Sequence, residues 1–352
     1  MMSTLVVGRS LLATSIKVAT PKNLTQNLHF VGKNPNFGHQ GLVNGNARFQ
    51  QPIRQFSKSQ ETLARFGTKL RAEPINTTAD NIGAVHNIGM IAVGCGGAAG
   101  LVALCYYGLG MANVEGARER SVLWPQYVRD RIHSTYGHLG VGFGISTLAA
   151  CTAIKSPSVM RFFSSGSIVA SIGTFAALIA SSMVVQSLPY EPGVGVKQMA
   201  WAGHCSLLGL VLCPLSLFGG PALLRAATYT AGIVGGLSTI AVCAPSEKFL
   251  VNTAPLSIGL GAVVASSLGT LFLPPTSKIG LGLQGIAIYG GLIVFSGLLL
   301  YDTQKTIKRA ELHPAYSMAP YDPINNSLHI YMDIINIFIR LVPFFAGNQR
   351  RR

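Results

Sequence analysis

Acidic side chains are scarce in this chain. Asp and Glu number 12 in 352 residues, against 27 Lys and Arg, and all charged residues together make up 11%. Soluble globular domains carry about 25% charge, so an ordinary water-soluble domain is excluded. Cysteine pairs in metal-ligand spacing are also missing. Cys95, Cys105, Cys151, Cys205, Cys213 and Cys243 all fall inside apolar runs and none forms CxxC. That pattern excludes a zinc framework and leaves them as small apolar fillers of helix interfaces. HExxH, GxSxG, a Walker loop and a strand-to-helix GxGxxG are absent, so the chain reads as a non-enzyme without a cofactor. The formal charge of +15 is spread over a tail and short loops, with no basic stripe interleaved with aromatics, which argues against nucleic acid.

What is present is apolar length. Hydrophobic residues make up 49% of the chain and glycine contributes 40 residues, a composition that suits helices packed in lipid. A spanning helix needs about 20 apolar residues, and eight stretches qualify: 88–112, 136–154, 164–187, 199–219, 222–243, 256–273, 281–301 and 326–346. The expected fold is therefore all-α, a polytopic membrane bundle spanning 88–346. Short turns such as "KSPS", "LPYEPG", "FGGP" and "LPPTSK" imply antiparallel neighbours. The eighth stretch holds Asp333, Asn336 and Arg340 and reads as an interior or re-entrant helix shielded from lipid. GxxxG pairs at Gly96–Gly100, Gly140–Gly144 and Gly232–Gly236 read as close packing within the bundle, with a homo-oligomer left open.

The first 60 residues contain seven bases and no acid. "MMSTLVVGRSLLATSIKVAT" can form a basic amphipathic helix, the composition of a mitochondrial transit peptide. "RQFSKS" places Arg54 two residues before Phe56 and suggests cleavage that leaves Ser57 as the new N-terminus. The expected organisation is a transit peptide at 1–56, a polar tether at 57–87, the bundle, and a basic tail at 347–352. An even number of spans puts both termini on one side, the matrix for an inner-membrane protein. Lys155, Arg161, Arg225 and Lys278 fall in loops on that side; Glu115, Glu119, Asp130, Glu191, Glu247, Glu311 and Asp322 fall on the other. Those acid-bearing loops are the candidate contact for a basic partner.

Only two acids, Asp302 and Asp333, lie in or at the edge of an expected span. A charge at mid-membrane costs at least about 2.5–3.5 kcal/mol, so such residues are functional candidates. Asp302 has a plain alternative as a helix-end residue in the headgroup region. Asp333 has one in Arg340, seven residues and two turns on, as a structural charge partner. If the last two spans pack antiparallel, the two carboxylates meet. In a poorly hydrated site they do not both ionise easily, so they hold and release a proton as a unit. Calcium, which prefers oxygen ligands, would compete with that proton. An intramembrane aspartyl protease would also pair two acids, but of its motifs only Tyr301–Asp302 is present; Asp333 follows "IYM".

"YDTQK" at the end of one span, followed by "YDPINNSLHIYMDIINIFIRL", resembles the C-terminal signature of the Bax inhibitor (TMBIM) superfamily. "ALCYYGLGMANVEGA", "WPQYVRDRIHSTY" and "YGGLIVFSGLLLYDTQKTIKRAE" are similar to its mitochondrial branch. The resemblance runs from about Leu101 to Arg340. It implies a seven-helix core plus an extra N-terminal span, in the inner membrane, with calcium–proton exchange or calcium leak. It also implies cristae organisation, restraint of cytochrome c release, and partners among inner-membrane proteases or cristae proteins. The family's di-aspartyl pH sensor falls on Asp302 and Asp333. Relatives latch that pair with an Arg on an early span; here the second and third expected spans hold only Lys155 and Arg161, at their turn.

Overall fold

The computed structural model describes residues 83–107, 116–117, 121–164, 167–245, 248–250, 253–274, 276–314, 316–317 and 319–346. The proposed transit peptide with Arg54, Phe56 and Ser57, the tether up to residue 82 and the tail at 347–352 lie outside these residues. Among the described residues there is no strand, only an isolated bridge between Gly116 and Pro245. The helices are α1 (Gly83–Tyr107), α2 (Gln126–Ile154), the short α3 (Pro157–Ser164), α4 (Ile168–Ser187) and α5 (Val196–Leu212), extended by a 3-10 segment to Phe218. They continue with α6 (Gly220–Cys243), α7 (Thr253–Phe272), α8 (Lys278–Leu312) and α9 (Pro323–Ala346). All but α3 are long and apolar enough to cross a membrane, which makes 8 candidate spans.

Local chemistry sets the helix ends. Gly219, at φ 93°, turns the chain between the end of α5 and Pro221 in the first turn of α6. Ser277 Oγ accepts from Gly280 N at 2.9 Å and starts α8. Asp322 caps α9, its Oδ1 accepting from Asn325 N at 3.0 Å, with Pro323 as the first helical residue. Its Oδ2 pairs with Lys197 Nζ at 2.5 Å, and the buried ammonium also donates to Leu188 O at 2.8 Å. One ion pair thus joins the end of α4, the start of α5 and the start of α9.

The structure extends several elements beyond the apolar runs. α1 begins at Gly83, so the last residues assigned to the tether are helical. α2 begins at Gln126 and carries Arg129, Asp130 and Arg131 on its first turns. α8 continues past Asp302 to Leu312. At 1.5 Å per residue α8 is about 52 Å long, against roughly 30 Å of hydrocarbon. Polar turns at helix ends stand outside the lipid core, and the apolar stretch alone does not mark where the helix stops.

α9 lies at the centre, packed against α2, α6 and α8. In its most apolar window 61% of residues are buried, compared with 6% for α1. The other helices shield its polar side chains from lipid, so it is an interior helix, and at about 36 Å it is long enough to cross. The glycine expectation does not hold. A Cβ built at Gly96, Gly100, Gly140, Gly144, Gly232 or Gly236 meets nothing within 4 Å among the described residues. Those pairs face outward, and close packing falls to other glycines: a Cβ on Gly209 would lie 2.2 Å from Ser146 O, and one on Gly142 3.3 Å from Trp201. Similarly, Cys205 and Cys213 fill interfaces, while Cys95, Cys105 and Cys151 are exposed on the bundle surface.

Candidate functional site

Asp302 stands ten residues before the end of α8 and Asp333 ten residues after the start of α9. The two helices run antiparallel in contact, so both acids lie about 15 Å in from the same end of the bundle. Their carboxyls lie within electrostatic and hydrogen-bonding reach of one another. Asp333 is 4% exposed and Asp302 9%. Asp302 is therefore a buried residue within α8 and not its last residue. Asp333 Oδ2 is buried and receives no N–H or O–H among the described residues. Two ionised carboxylates have no donor between them, so bringing them together favours a shared proton or a cation.

His329, one turn before Asp333 on α9, is within electrostatic reach of Asp302, and Lys305 and Arg309 act on the same imidazole. The His-x-x-x-Asp spacing in "HIYMD" was the available sequence signal for this neighbour. No third His, Cys, Asp or Glu joins the pair into a group able to hold a metal among the described residues.

Arg340 does not close on Asp333, the structural alternative that the spacing left open. Its Nε donates to Ala287 O at 3.0 Å, its Nη1 to Asn336 O at 2.9 Å and Asn336 Oδ1 at 3.1 Å. The guanidinium also lies over the Phe295 ring at 4.4 Å. Ala287 belongs to a π turn, Ile286–Gly290, inside α8. Such a turn disturbs the regular ladder and leaves carbonyls for other donors. The guanidinium is drawn to that carbonyl, about 10 Å further along α9 than Asp333. Gly291 makes room for it: a Cβ there would lie 2.0 Å from Arg340 Nε. Nothing local in the sequence announces this contact, because it crosses between helices. Gly291→Ala is expected to cost about 1–3 kcal/mol by overpacking, read as a lowered thermal midpoint of the detergent-purified protein. An unchanged midpoint would show that Arg340 re-seats freely.

An early arginine does clamp α8, but at its end. Arg131 of α2 donates to Ala310 O at 3.1 Å, His313 O at 2.7 Å and Pro314 O at 3.1 Å. Two of the acids expected to face a basic partner are engaged inside the protein. Glu311 accepts from Trp124 Nε1 at 2.9 Å, and Asp322 holds Lys197.

Residues 128–351 match the family model described as inhibitor of apoptosis-promoting Bax1. The chain belongs to the Bax1-inhibitor family. It is 52% identical over 286 residues to growth hormone-inducible transmembrane protein of Rattus norvegicus, covering 81% of this chain and 83% of that protein. It is 26% identical to inner membrane protein YbhL of Escherichia coli (strain K12), over 66% of this chain and 98% of that one. The rat Bax inhibitor 1 is also 26% identical, over 62% and 88%. The resemblance seen in "YDTQK" and the following span thus stands, and this is a multi-pass membrane protein of the Bax1-inhibitor family. Both aspartates fall inside the matched region.

Proposed function

We propose that this chain moves calcium across the mitochondrial inner membrane in a pH-dependent way, as a calcium–proton exchanger or leak centred on Asp302 and Asp333. The observation that carries this reading is the buried carboxylate pair with no donor between its members. Such a pair favours holding a proton or a cation, and the two compete. A proton leaving the pair exposes two negative charges to an incoming cation; calcium leaving lets the proton return. The pair offers at most four carboxylate oxygens, so cargo calcium completes its six to eight ligands from water or backbone. Arg340 is a fixed positive charge between the pair and the far end of the bundle, so passage requires the α8 π turn and Arg340 to shift.

The basic, acid-free N-terminus supports the mitochondrial address, and an even number of spans then supports both termini in the matrix. Cristae organisation and restraint of cytochrome c release follow from the family resemblance. A second reading, a non-transporting scaffold that binds inner-membrane partners, is favoured by α1, whose apolar window is only 6% buried and where a Cβ at Gly94, Gly96, Gly97 or Gly100 meets nothing within 4 Å among the described residues. The test is reconstitution of the full chain into proteoliposomes under a pH gradient. Calcium entry with opposite proton movement is expected for an exchanger, and calcium entry that responds to pH for a leak. Vesicles with the protein that match empty ones would leave the scaffold reading standing.

A further inference from the structure

A cleft of about 620 Å³ opens where the end of α8 meets the start of α9. Three bases on α8, Lys305, Lys308 and Arg309, line it. Spacings of three and four residues place them along one side of the helix. The cleft's one carboxylate, Asp322, is already neutralised by Lys197 at 2.5 Å. Lys305 rests over the Tyr301 ring at 5.0 Å, and Arg309 donates to Asn326 Oδ1 at 3.0 Å. Neither has a carboxylate partner among the described residues. Uncompensated cations in a concave, partly desolvated site attract an anion strongly, because the low-dielectric walls focus their field. Leu250, Leu312, Pro314 and Pro320 make the rest of the lining largely apolar. The level is that of the polar helix ends, about one turn beyond Asp302 at Lys305.

We propose that this cleft is a binding site for a phosphate-bearing anion, with Lys305 and Arg309 supplying the charge and the apolar rim taking the body of an amphiphile. Arginine offers a forked donor to phosphate oxygens and lysine a point charge. The chemistry is shared by the headgroup of an anionic phospholipid and by free phosphate. Tyr321 lines the same cleft, and burial raises its hydroxyl above the ordinary tyrosine value, so it remains protonated. Because Lys305 and Arg309 also act on His329 beside Asp302, an anion here changes the field at the carboxylate pair. The binding itself does not depend on calcium movement.

Native mass spectrometry of the full chain, titrated with dioleoylphosphatidylglycerol against dioleoylphosphatidylcholine, tests the site. The expected result is retention of the anionic lipid by the wild type and a loss of about tenfold or more, equivalent to ~1.4 kcal/mol, in the Lys305→Gln/Arg309→Gln variant. The charge-preserving Lys305→Arg/Arg309→Lys variant should keep the preference. Competition by millimolar inorganic phosphate would identify the phosphate group as the recognised part. Failure to compete, with the variant still defective, would identify the whole lipid. Equal lipid preference in the wild type and the charge-neutral variant, or no preference in the wild type, would overturn the assignment.

Discussion

Asp333→Asn is expected to lower calcium flux in proteoliposomes by about tenfold or more, a change of ~1.4 kcal/mol, and to flatten its response to pH. The substitution keeps the shape of the side chain and removes its charge. The new amide N–H donates directly to Asp302, which fills the missing-donor gap without a proton or a cation. The site then carries at most one negative charge instead of two, and no shared proton remains for a cation to displace. Asp302→Asn should behave alike, since the contact is mutual. The double variant should be little worse than either single one, because the two residues act as one unit and their effects do not add. Additive losses, with full pH response in each single variant, would mean that the acids act independently and that their contact is structural. The bundle should stay folded in all three variants, because an amide satisfies the buried geometry at least as well as an unprotonated carboxylate.

Gly209→Val is expected to have the largest effect on stability. The hypothetical Cβ at Gly209 lies 2.2 Å from Ser146 O and 2.8 Å from Ala149 Cβ. The first obstacle is backbone, so no rotamer change relieves it. The contact lies at the α2–α5 interface, where Ser146 Oγ donates to Cys205 O at 2.8 Å and also contacts the Tyr331 hydroxyl of α9. Forcing α2 and α5 apart therefore breaks a buried polar link to the central helix as well. Overpacking alone costs about 1–3 kcal/mol, occasionally more, and a lost buried hydrogen bond adds about 1–3. Gly140→Ala is the control, since nothing lies within 4 Å of that position among the described residues. Thermal unfolding in detergent should show a large drop for the first and almost none for the second. Equal effects would mean that helix propensity, rather than close approach, governs both glycines.

These two glycines show the limit of spacing as a guide. Gly140 belongs to a GxxxG pair and Gly209 to none, yet only Gly209 admits another backbone. A motif states that a helix face is small; it does not state which way the face points. The same distinction separates Asp333 from Arg340. Their seven-residue spacing put both on roughly one face of α9, but a long side chain goes where donors and acceptors await it, and the π turn of α8 offered Ala287 O. His329 was closer to legible, because its four-residue spacing from Asp333 is a local relation.

By itself, the amino-acid sequence determined the class of this protein. Apolar runs of spanning length leave helices as the only way to satisfy the backbone in lipid, so eight spans and antiparallel turns were readable from composition and local order. Asp302 and Asp333 could be singled out for a similar reason, because charge inside such runs is costly wherever it occurs. Only the tertiary structure decided that the two acids lie within reach of each other, that Arg340 serves a carbonyl of α8, and that the bases of α8 line a cleft at the helix end. Each of those outcomes depends on the rotation and register of helices around α9. Side-chain packing between distant segments sets these, and the pattern within any one segment does not record them.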